Sequence, residues 1–264
     1  MDKRSQKHLQ SLKSKWKDLL DERADFYNQP HFIATDPIQI PHRFSLKQDI
    51  EIAGFLLATI AWGNRKSIIR SGERLMHLMD DAPYEFLMNS SPQEILQITG
   101  FVHRTFSSQD LQQFLLALKE LYSSYDSLED VLLPQPEEQE MSHALERWRS
   151  LFMQNRTPHC GKHFSSPYRK SAAKRLHMYL RWMVRKDDRG VDFGVWERIS
   201  PALLSIPLDV HSAKVAREMG LLQRKQNDYK AVQELDEVLR FFDAKDPVKY
   251  DFALFGISAI GEKL

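Results

Sequence analysis

Cysteine is almost absent from this chain of 264 residues, since Cys160 is its only one. A single cysteine excludes a disulfide framework within the chain, and it excludes a zinc or iron–sulphur site built from four cysteines of one chain. Glycine is also scarce, with 10 residues, and runs of β-branched residues are few. Leucine, lysine, glutamate and arginine are abundant, so the composition favours helix throughout.

Long apolar segments are missing as well. The longest stretch, residues 52–62, is too short to cross a bilayer as a helix. The first twenty residues are charged and have no apolar core of the kind that a signal peptide carries. We therefore expect a cytoplasmic protein without a membrane partner. An excess of one charge is also lacking, because 37 Lys and Arg face 36 Asp and Glu, and the net charge of +1 indicates no class of partner.

Helical periodicity recurs along the chain, and strand patterns are nearly absent. The helix that ends near Trp62 is apolar almost all round, which predicts that it is buried on every side. The fold class predicted from these patterns is all-α. Further helices are predicted at residues 67–79, 91–99, 110–125, 141–153, 171–186, 210–219, 228–241 and 247–257.

Residues 162–189 form a basic stretch with nine Lys or Arg against two Asp. At about 100° per residue, Lys174, Met178, Arg181 and Arg185 fall on one face of the helix, opposite a face of apolar side chains. A row of cations beside an apolar packing face is typical of a phosphate-binding surface. The alternative is an ordinary solvated helix surface.

Asp209 opens the helix in IPLDVHSAKVAREMG (206–220), which Gly220 closes. Aspartate is a favoured N-cap, and glycine just past the last turn is the usual C-terminal signal. Capping alone therefore explains the residue. A carboxylate that is held at a helix N-terminus also stays ionised more easily, so the same position suits a catalytic acid group.

The order of the predicted elements resembles that of a known superfamily. It comprises a buried helix, a polar break, a helix, a turn at Gly100 and Phe101, a helix, the basic helix, a hairpin-like loop and the Asp209 segment. Over residues 45–260 this order is similar to the helix-hairpin-helix base-excision DNA glycosylases, such as endonuclease III and the 8-oxoguanine glycosylases. The resemblance implies two helical lobes with a cleft between them, one at residues 48–160 and the other combining residues 1–47 with 161–264.

The resemblance also implies roles for single residues. In this superfamily an aspartate after a Pro-Val pair is catalytic, and Asp209 stands in its place. The segment FALFGISAIG (252–261) resembles the endonuclease III helix that runs into an iron–sulphur loop, but no cysteine follows here, so no cluster is expected. The phrases KRLHMYLRWMVRKDDRGVDFG (174–194) and DPVKYDFALFG (246–256) resemble a bacterial family of conserved proteins without assigned function.

The hairpin departs from the superfamily. Its members carry a Gly-rich turn whose amides hold a DNA phosphate, and bifunctional members place a nucleophilic lysine close to that turn. We assign residues 188–205 to the hairpin, and this stretch has glycines only at positions 190 and 194. Lys174 is the best lysine candidate, 35 residues before Asp209, which resembles the compact 8-oxoguanine glycosylases with an enlarged hairpin.

The resemblance implies that Asp209 stabilises positive charge as the glycosidic bond breaks, while Lys174 attacks C1′ and forms a Schiff base. The target base must be flipped out of the stack into a pocket, which requires an apolar wall or wedge. Trp62, Met178 and Trp182 are candidates for that wall or wedge. The residues expected to contact DNA are Arg175, Arg181, Arg185, Lys186, Asn64 and His211.

His159, Cys160 and His163 lie close together but match no zinc-finger spacing, so no metal and no other cofactor are expected.

The leading hypothesis is a monomeric DNA repair glycosylase, with or without AP-lyase activity, that acts on duplex DNA. One alternative is a non-catalytic nucleic-acid-binding protein derived from the same fold. The other is a helical protein–protein adaptor.

Overall fold

The protein is described by a computed structural model that covers residues 3–138 and 140–261, without the side chain of Ile260. Helix dominates this structure, so the predicted all-α class is confirmed. The strands in the described part are β1 (Val102–His103) and β2 (Phe106–Ser107), which form an antiparallel hairpin with His103 opposite Phe106. No helix in the described residues is long and apolar enough to span a membrane.

The chain divides into two compact units, Met1–Phe32 with Pro167–Leu264 and Ile33–Ser166. From the sequence, the lobe boundaries were expected near residues 48 and 160. The first unit holds five α-helices, which are α1 (Lys3–Tyr27), α9 (Lys174–Val184), α10 (Val210–Glu218), α11 (Tyr229–Phe242) and α12 (Tyr250–Ile260). The second unit holds α2 (Lys47–Ile60), α3 (Arg65–His77), α4 (Pro83–Asn89), α5 (Pro92–Leu96), α6 (Ser108–Tyr122), α7 (Leu128–Leu132) and α8 (Met141–Met153), together with the hairpin.

The core of the first unit forms where α12 packs against α1 and α10. Gly256 on α12 allows the close approach to α1, because a Cβ at this position would lie 2.1 Å from a ring carbon of Tyr27. Leu20, Ala213 and Leu254 are buried at the junction of the three helices. This packing places the start of α10 against α12, where His211 contacts Ser258 and Phe255.

Helix α2 is the centre of the second unit, as its apolar composition predicts, because every residue from Ile50 to Ile60 is buried. Phe55 on this helix contacts an aromatic cluster made by Phe114, Trp148, Phe152 and Phe164. The buried carboxylate of Glu51 is compensated by hydrogen bonds from its neighbours, among them the Tyr122 hydroxyl at 2.7 Å and the Leu128 amide at 3.2 Å.

Candidate functional site

Helix α9 starts with an unusual local conformation. Ala173, the residue before it, has φ 45° in the left-handed region, and Lys170 has φ 65°. A non-glycine residue in that region costs about 1–2 kcal/mol. Lys174 is the first helical residue, and no side chain caps this helix end. A cation at the positive end of the helix dipole is also unfavourable. Lys174 therefore follows a residue in an unfavourable backbone conformation, and its own charge is unfavourable at this end of the helix.

Helix α10 starts with a complete capping box. Oδ1 of Asp209 accepts hydrogen bonds from the amides of His211 at 2.8 Å and Ser212 at 2.9 Å. The Ser212 hydroxyl in turn accepts from the Asp209 amide at 3.1 Å. The predicted capping function of Asp209 is thus confirmed. The capping hydrogen bonds use only Oδ1, one of the two carboxylate oxygens of Asp209.

The second carboxylate oxygen of Asp209 faces Lys174. Oδ2 lies 3.0 Å from Nζ of Lys174, and the side chains are 15% and 36% exposed, respectively. Burial by itself raises the pKa of Asp209, but the charge of Lys174 and the hydrogen bonds from Lys174, Ser212 and His211 outweigh it. The pKa lies below its usual value. Asp209 is therefore ionised at neutral pH and shared between a helix end and an amine.

Asp251, in the first turn of α12, is a further acid beside this pair, and the sequence analysis missed it. It is buried, and Arg181 Nη1 donates to its Oδ2. Burial, with repulsion from Asp209 and Asp192, raises the pKa of Asp251 to about 6, against the lowering effect of Arg181 and Lys174. The only sequence signal is an acid directly before the apolar run of α12.

Arg181 and Arg185 do not form the exposed phosphate-binding row predicted on α9. Each is only 5% exposed. Arg181 pairs with Asp192 at 3.2 Å as well as with Asp251, and its guanidinium lies 4.3 Å from the ring centre of Phe252. Arg185 pairs with acids from three positions, namely Asp187, Asp192 at 3.4 Å and Asp246 at 2.9 Å. The prediction was wrong because these acids come from segments outside α9, which the helical pattern of α9 does not reveal.

The remaining candidates of the first unit differ in accessibility. Trp182 is 1% exposed, so its predicted role as a wedge is wrong, whereas Met178 is half-buried. Burial lowers the pKa of Arg175 to about 10. Lys186 is exposed and pairs with Glu197 at 3.1 Å. His211 is exposed, and its Nδ1 lies 3.3 Å from the Ser258 hydroxyl.

The stretch assigned to the hairpin, residues 188–205, covers the C-terminal end of α9. The amide of Phe193 donates to the carbonyl of Trp182 at 2.8 Å, and that of Trp196 donates to Met183 at 2.9 Å. Gly194 has φ 56°, and a Cβ there would lie 2.5 Å from Cβ of Lys186. These amides satisfy helix carbonyls that would otherwise lack a donor. They are therefore engaged within the protein.

Trp62 and Asn64 belong to the other unit. The half-buried ring of Trp62 stacks on His163, with centroids 5.8 Å apart, and meets His103 edge-on at 5.3 Å. Exposed Asn64 caps α3, where its Oδ1 accepts from the Ser67 amide at 3.3 Å.

His159 and His163 both approach the buried carboxylate of Asp110, at 3.0 Å and 3.5 Å. Cys160 is buried, which raises the pKa of its thiol. Within residues 3–138 and 140–261, no group of three or more His, Cys, Asp or Glu is arranged to hold a metal ion.

Comparison with known protein families gives a match over most of the chain. The family described as "Protein of unknown function (DUF2400)" matches residues 36–260. No curated protein and no solved structure matches the chain. The matched segment contains Lys174, Asp209 and Asp251, and it makes up most of the chain, so the protein belongs to the DUF2400 family.

Proposed function

We propose that this protein is a DNA repair glycosylase with AP-lyase activity, in which Lys174 is the nucleophile and Asp209 stabilises the sugar. The observation that carries the proposal is the 3.0 Å approach of the Lys174 amine to the free oxygen of the Asp209 carboxylate. The resemblance to the glycosylases suggested both residues as partners. Their proximity, across 35 positions of chain, adds a geometric argument that the pattern alone did not contain.

The pair suits substitution at the C1′ atom of a nucleotide. In the proposed reaction, Lys174 first loses a proton to solvent and its free amine attacks C1′. The glycosidic bond breaks with its electron pair leaving on the base, which takes up the proton that the attacking nitrogen loses. The ionised carboxylate of Asp209 stabilises the positive charge that develops on the sugar. The bond between C1′ and the ring oxygen then breaks, the ring oxygen takes up a proton from solvent, and a protonated Schiff base forms between the Lys174 nitrogen and C1′. Loss of a C2′ proton expels the 3′-phosphate and cleaves the strand.

Local conformational strain supports the assignment of Lys174. Ala173 is held in the left-handed region although it is not glycine, and Lys174 starts α9 without a side-chain cap. Local preferences are broken most often at functional sites, where the surrounding structure compensates for the cost. The compensation here is the partner carboxylate of Asp209.

Asp251 and Arg181 would act as positioning residues. Arg181 is held by Asp192 and by the ring of Phe252, and it fixes the buried carboxyl of Asp251 through a hydrogen bond. Asp251 exerts its charge on Asp209 and interacts with Lys174. Protonation of Asp251 near pH 6 would therefore remove a negative charge beside Asp209 and Lys174 within the physiological pH range.

A second candidate is a non-catalytic nucleic-acid-binding protein with the same fold. The observation that favours it is the complete capping box of Asp209, because a structural aspartate would form the same hydrogen bonds. In that case the ion pair with Lys174 would only join the starts of two helices. The two candidates differ in whether a covalent intermediate forms.

The test uses duplex DNA with a single abasic site, which bypasses the unknown identity of the damaged base. We expect strand cleavage by the wild type and none by Lys174→Gln. Asp209→Asn should cap α10 as well as Asp does, yet on whichever oxidised or alkylated duplex the wild type processes it should lower the rate of base release by about 10²–10³. Lys214→Gln is the matched control, because Lys214 is an exposed lysine on α10 that pairs only with Glu218, at 3.8 Å, among the described residues, and it should keep the wild-type rate.

Retention of full base release by Asp209→Asn would reduce Asp209 to a helix cap. DNA binding by the wild type without cleavage of the abasic duplex, and without release of any base from a panel of oxidised and alkylated duplexes, would favour the second candidate.

A further inference from the structure

Helix α3 carries a row of cations on its outer face. Lys66, Arg70 and Arg74 follow one another at intervals of four residues, so they lie along one side of the helix with a rise of about 6 Å per step. All three side chains are exposed. The opposite side of the helix, with Ile68 and Leu75, is buried in the core of the unit.

A fourth cation, Arg104, lies close to the start of this helix. It occupies the turn between β1 and β2 and is exposed. Its side chain passes over Gly63, the residue before the N-cap of α3, because a Cβ on Gly63 would lie 2.7 Å from Nη1 of Arg104. Val102, two residues earlier on β1, is 62% exposed. We call Lys66, Arg70, Arg74 and Arg104 the α3 surface.

The cations of the α3 surface are not neutralised by the protein. In the part of the chain that the structure describes, none of the four forms an ion pair with a carboxylate, and Arg74 makes its hydrogen bond to the carbonyl of Gly100, at 2.6 Å. Arg181 and Arg185 on α9, in contrast, are each surrounded by aspartates. Exposed cations that repel one another and lack acidic partners indicate an anionic ligand.

We infer that the α3 surface binds the phosphate backbone of duplex DNA. A linear row of cations fits a linear series of phosphates, and one exposed valine beside it offers contact to a sugar or base edge. Binding to a membrane surface depends on a broad exposed apolar face, whereas the α3 surface consists of cations. The inference rests on the proposed function, since duplex DNA is the substrate of that function.

The first test measures binding of an undamaged duplex by fluorescence anisotropy at several salt concentrations. The double variant Lys66→Glu/Arg70→Glu should weaken binding for every sequence tested and lower the slope of log K against log salt by about 0.9 for each lost phosphate contact. The control Lys230→Glu/Lys245→Glu makes the same change in net charge at two exposed lysines of the other unit and should leave the slope unchanged.

Arg104→Gly is a second variant that should not disturb folding, because glycine accepts the φ of 55° that Arg104 adopts. It should lower the salt slope by about 0.9 while the folded protein keeps its thermal stability. An unchanged slope in both the double variant and Arg104→Gly overturns the inference. So does binding of vesicles with anionic lipids together with no binding of the duplex.

The cleavage assay on abasic DNA separates the two proposals. Cleavage by the wild type combined with an unchanged salt slope in the α3 variants would refute the α3 surface and support the proposed function. A reduced slope in the α3 variants combined with no covalent chemistry by the wild type would support the α3 surface and refute the glycosylase mechanism.

Discussion

The two basic helices of this protein use their arginines in opposite ways. On α9, Arg181 and Arg185 are 5% exposed and held by aspartates from other segments. On α3, Lys66 and Arg70 are exposed, and in the described residues neither has an acidic partner. The first group is part of the folded interior, and the second is available to a ligand.

The difference teaches that accessibility decides the role of a cation more than local charge density does. Residues 162–189 contain nine Lys or Arg, yet Arg181 and Arg185 among them are buried and pair with the acids around the candidate site. The α3 helix carries four cations and one acid, Glu73, over 13 residues. A buried charge must be compensated within the protein, whereas an exposed one needs no internal partner.

The largest effect expected from this comparison is on stability. Arg181→Met should lower the free energy of unfolding by about 3–5 kcal/mol, because Asp192 and Asp251 would then lose a cation that compensates them in the interior. Arg70→Met on α3 should change it by no more than about 0.5 kcal/mol. Urea unfolding of both variants measures the difference. Equal losses of unfolding free energy in Arg181→Met and Arg70→Met would contradict the distinction between buried, paired arginines on α9 and exposed ones on α3.

The pH dependence of stability should carry the signature of Asp251. Its pKa is about 6 in the folded protein, against 3.8 for an unperturbed aspartate as in the unfolded chain, so the folded state binds more protons between these two pH values. The contribution of this group to stability is therefore largest near pH 4 and falls as the pH rises through 6, by about 3 kcal/mol.

The measurement is the difference in unfolding free energy between the wild type and Asp251→Asn from pH 4 to pH 7. The comparison with Asn isolates this group, because the aspartates whose pKa is lowered, such as Asp187 and Asp209, change stability in the opposite direction with pH. A difference that is independent of pH would contradict the raised pKa.

A smaller effect on stability is expected from the strained turn before α9. Ala173, before α9, has φ 45°. Ala173→Gly should raise the free energy of unfolding by about 0.5–1 kcal/mol, because relief of strain exceeds the added chain entropy of glycine. The same variant should lower the cleavage rate, since the position of Lys174 depends on this turn. Loss of stability in Ala173→Gly, measured by thermal unfolding, would show that the turn is not strained.

The sequence predicted the features that depend on local pattern. The all-α class, the buried helix α2 and the capping of α10 by Asp209 follow from periodicity and capping chemistry, and the structure confirms them. The pairing of Asp209 with Lys174 was a hypothesis drawn from a resemblance. The structure gives the distance between the two groups, and their chemical roles stay predictions.

Features that depend on contacts distant in sequence were missed. Asp251 and Asp192 reach Arg181 from α12 and from the loop after α9, so the helical pattern of α9 assigned this arginine to solvent. His177 was missed for the same reason. It is buried, neither ring nitrogen has a hydrogen-bond partner among the described residues, and burial with the charge of Arg240 lowers its pKa to about 4. Arg104 approaches Gly63 only because β1 and β2 form a hairpin.

The most direct test of the central claim is the identity of the residue that becomes covalently attached to DNA. The wild-type protein is incubated with the abasic duplex, reduced with borohydride and digested, and the modified peptide is located by mass spectrometry. The account predicts that the reduced adduct lies on Lys174 and that Lys174→Gln forms none. An adduct on another lysine, or no adduct with a folded wild-type protein, would contradict it.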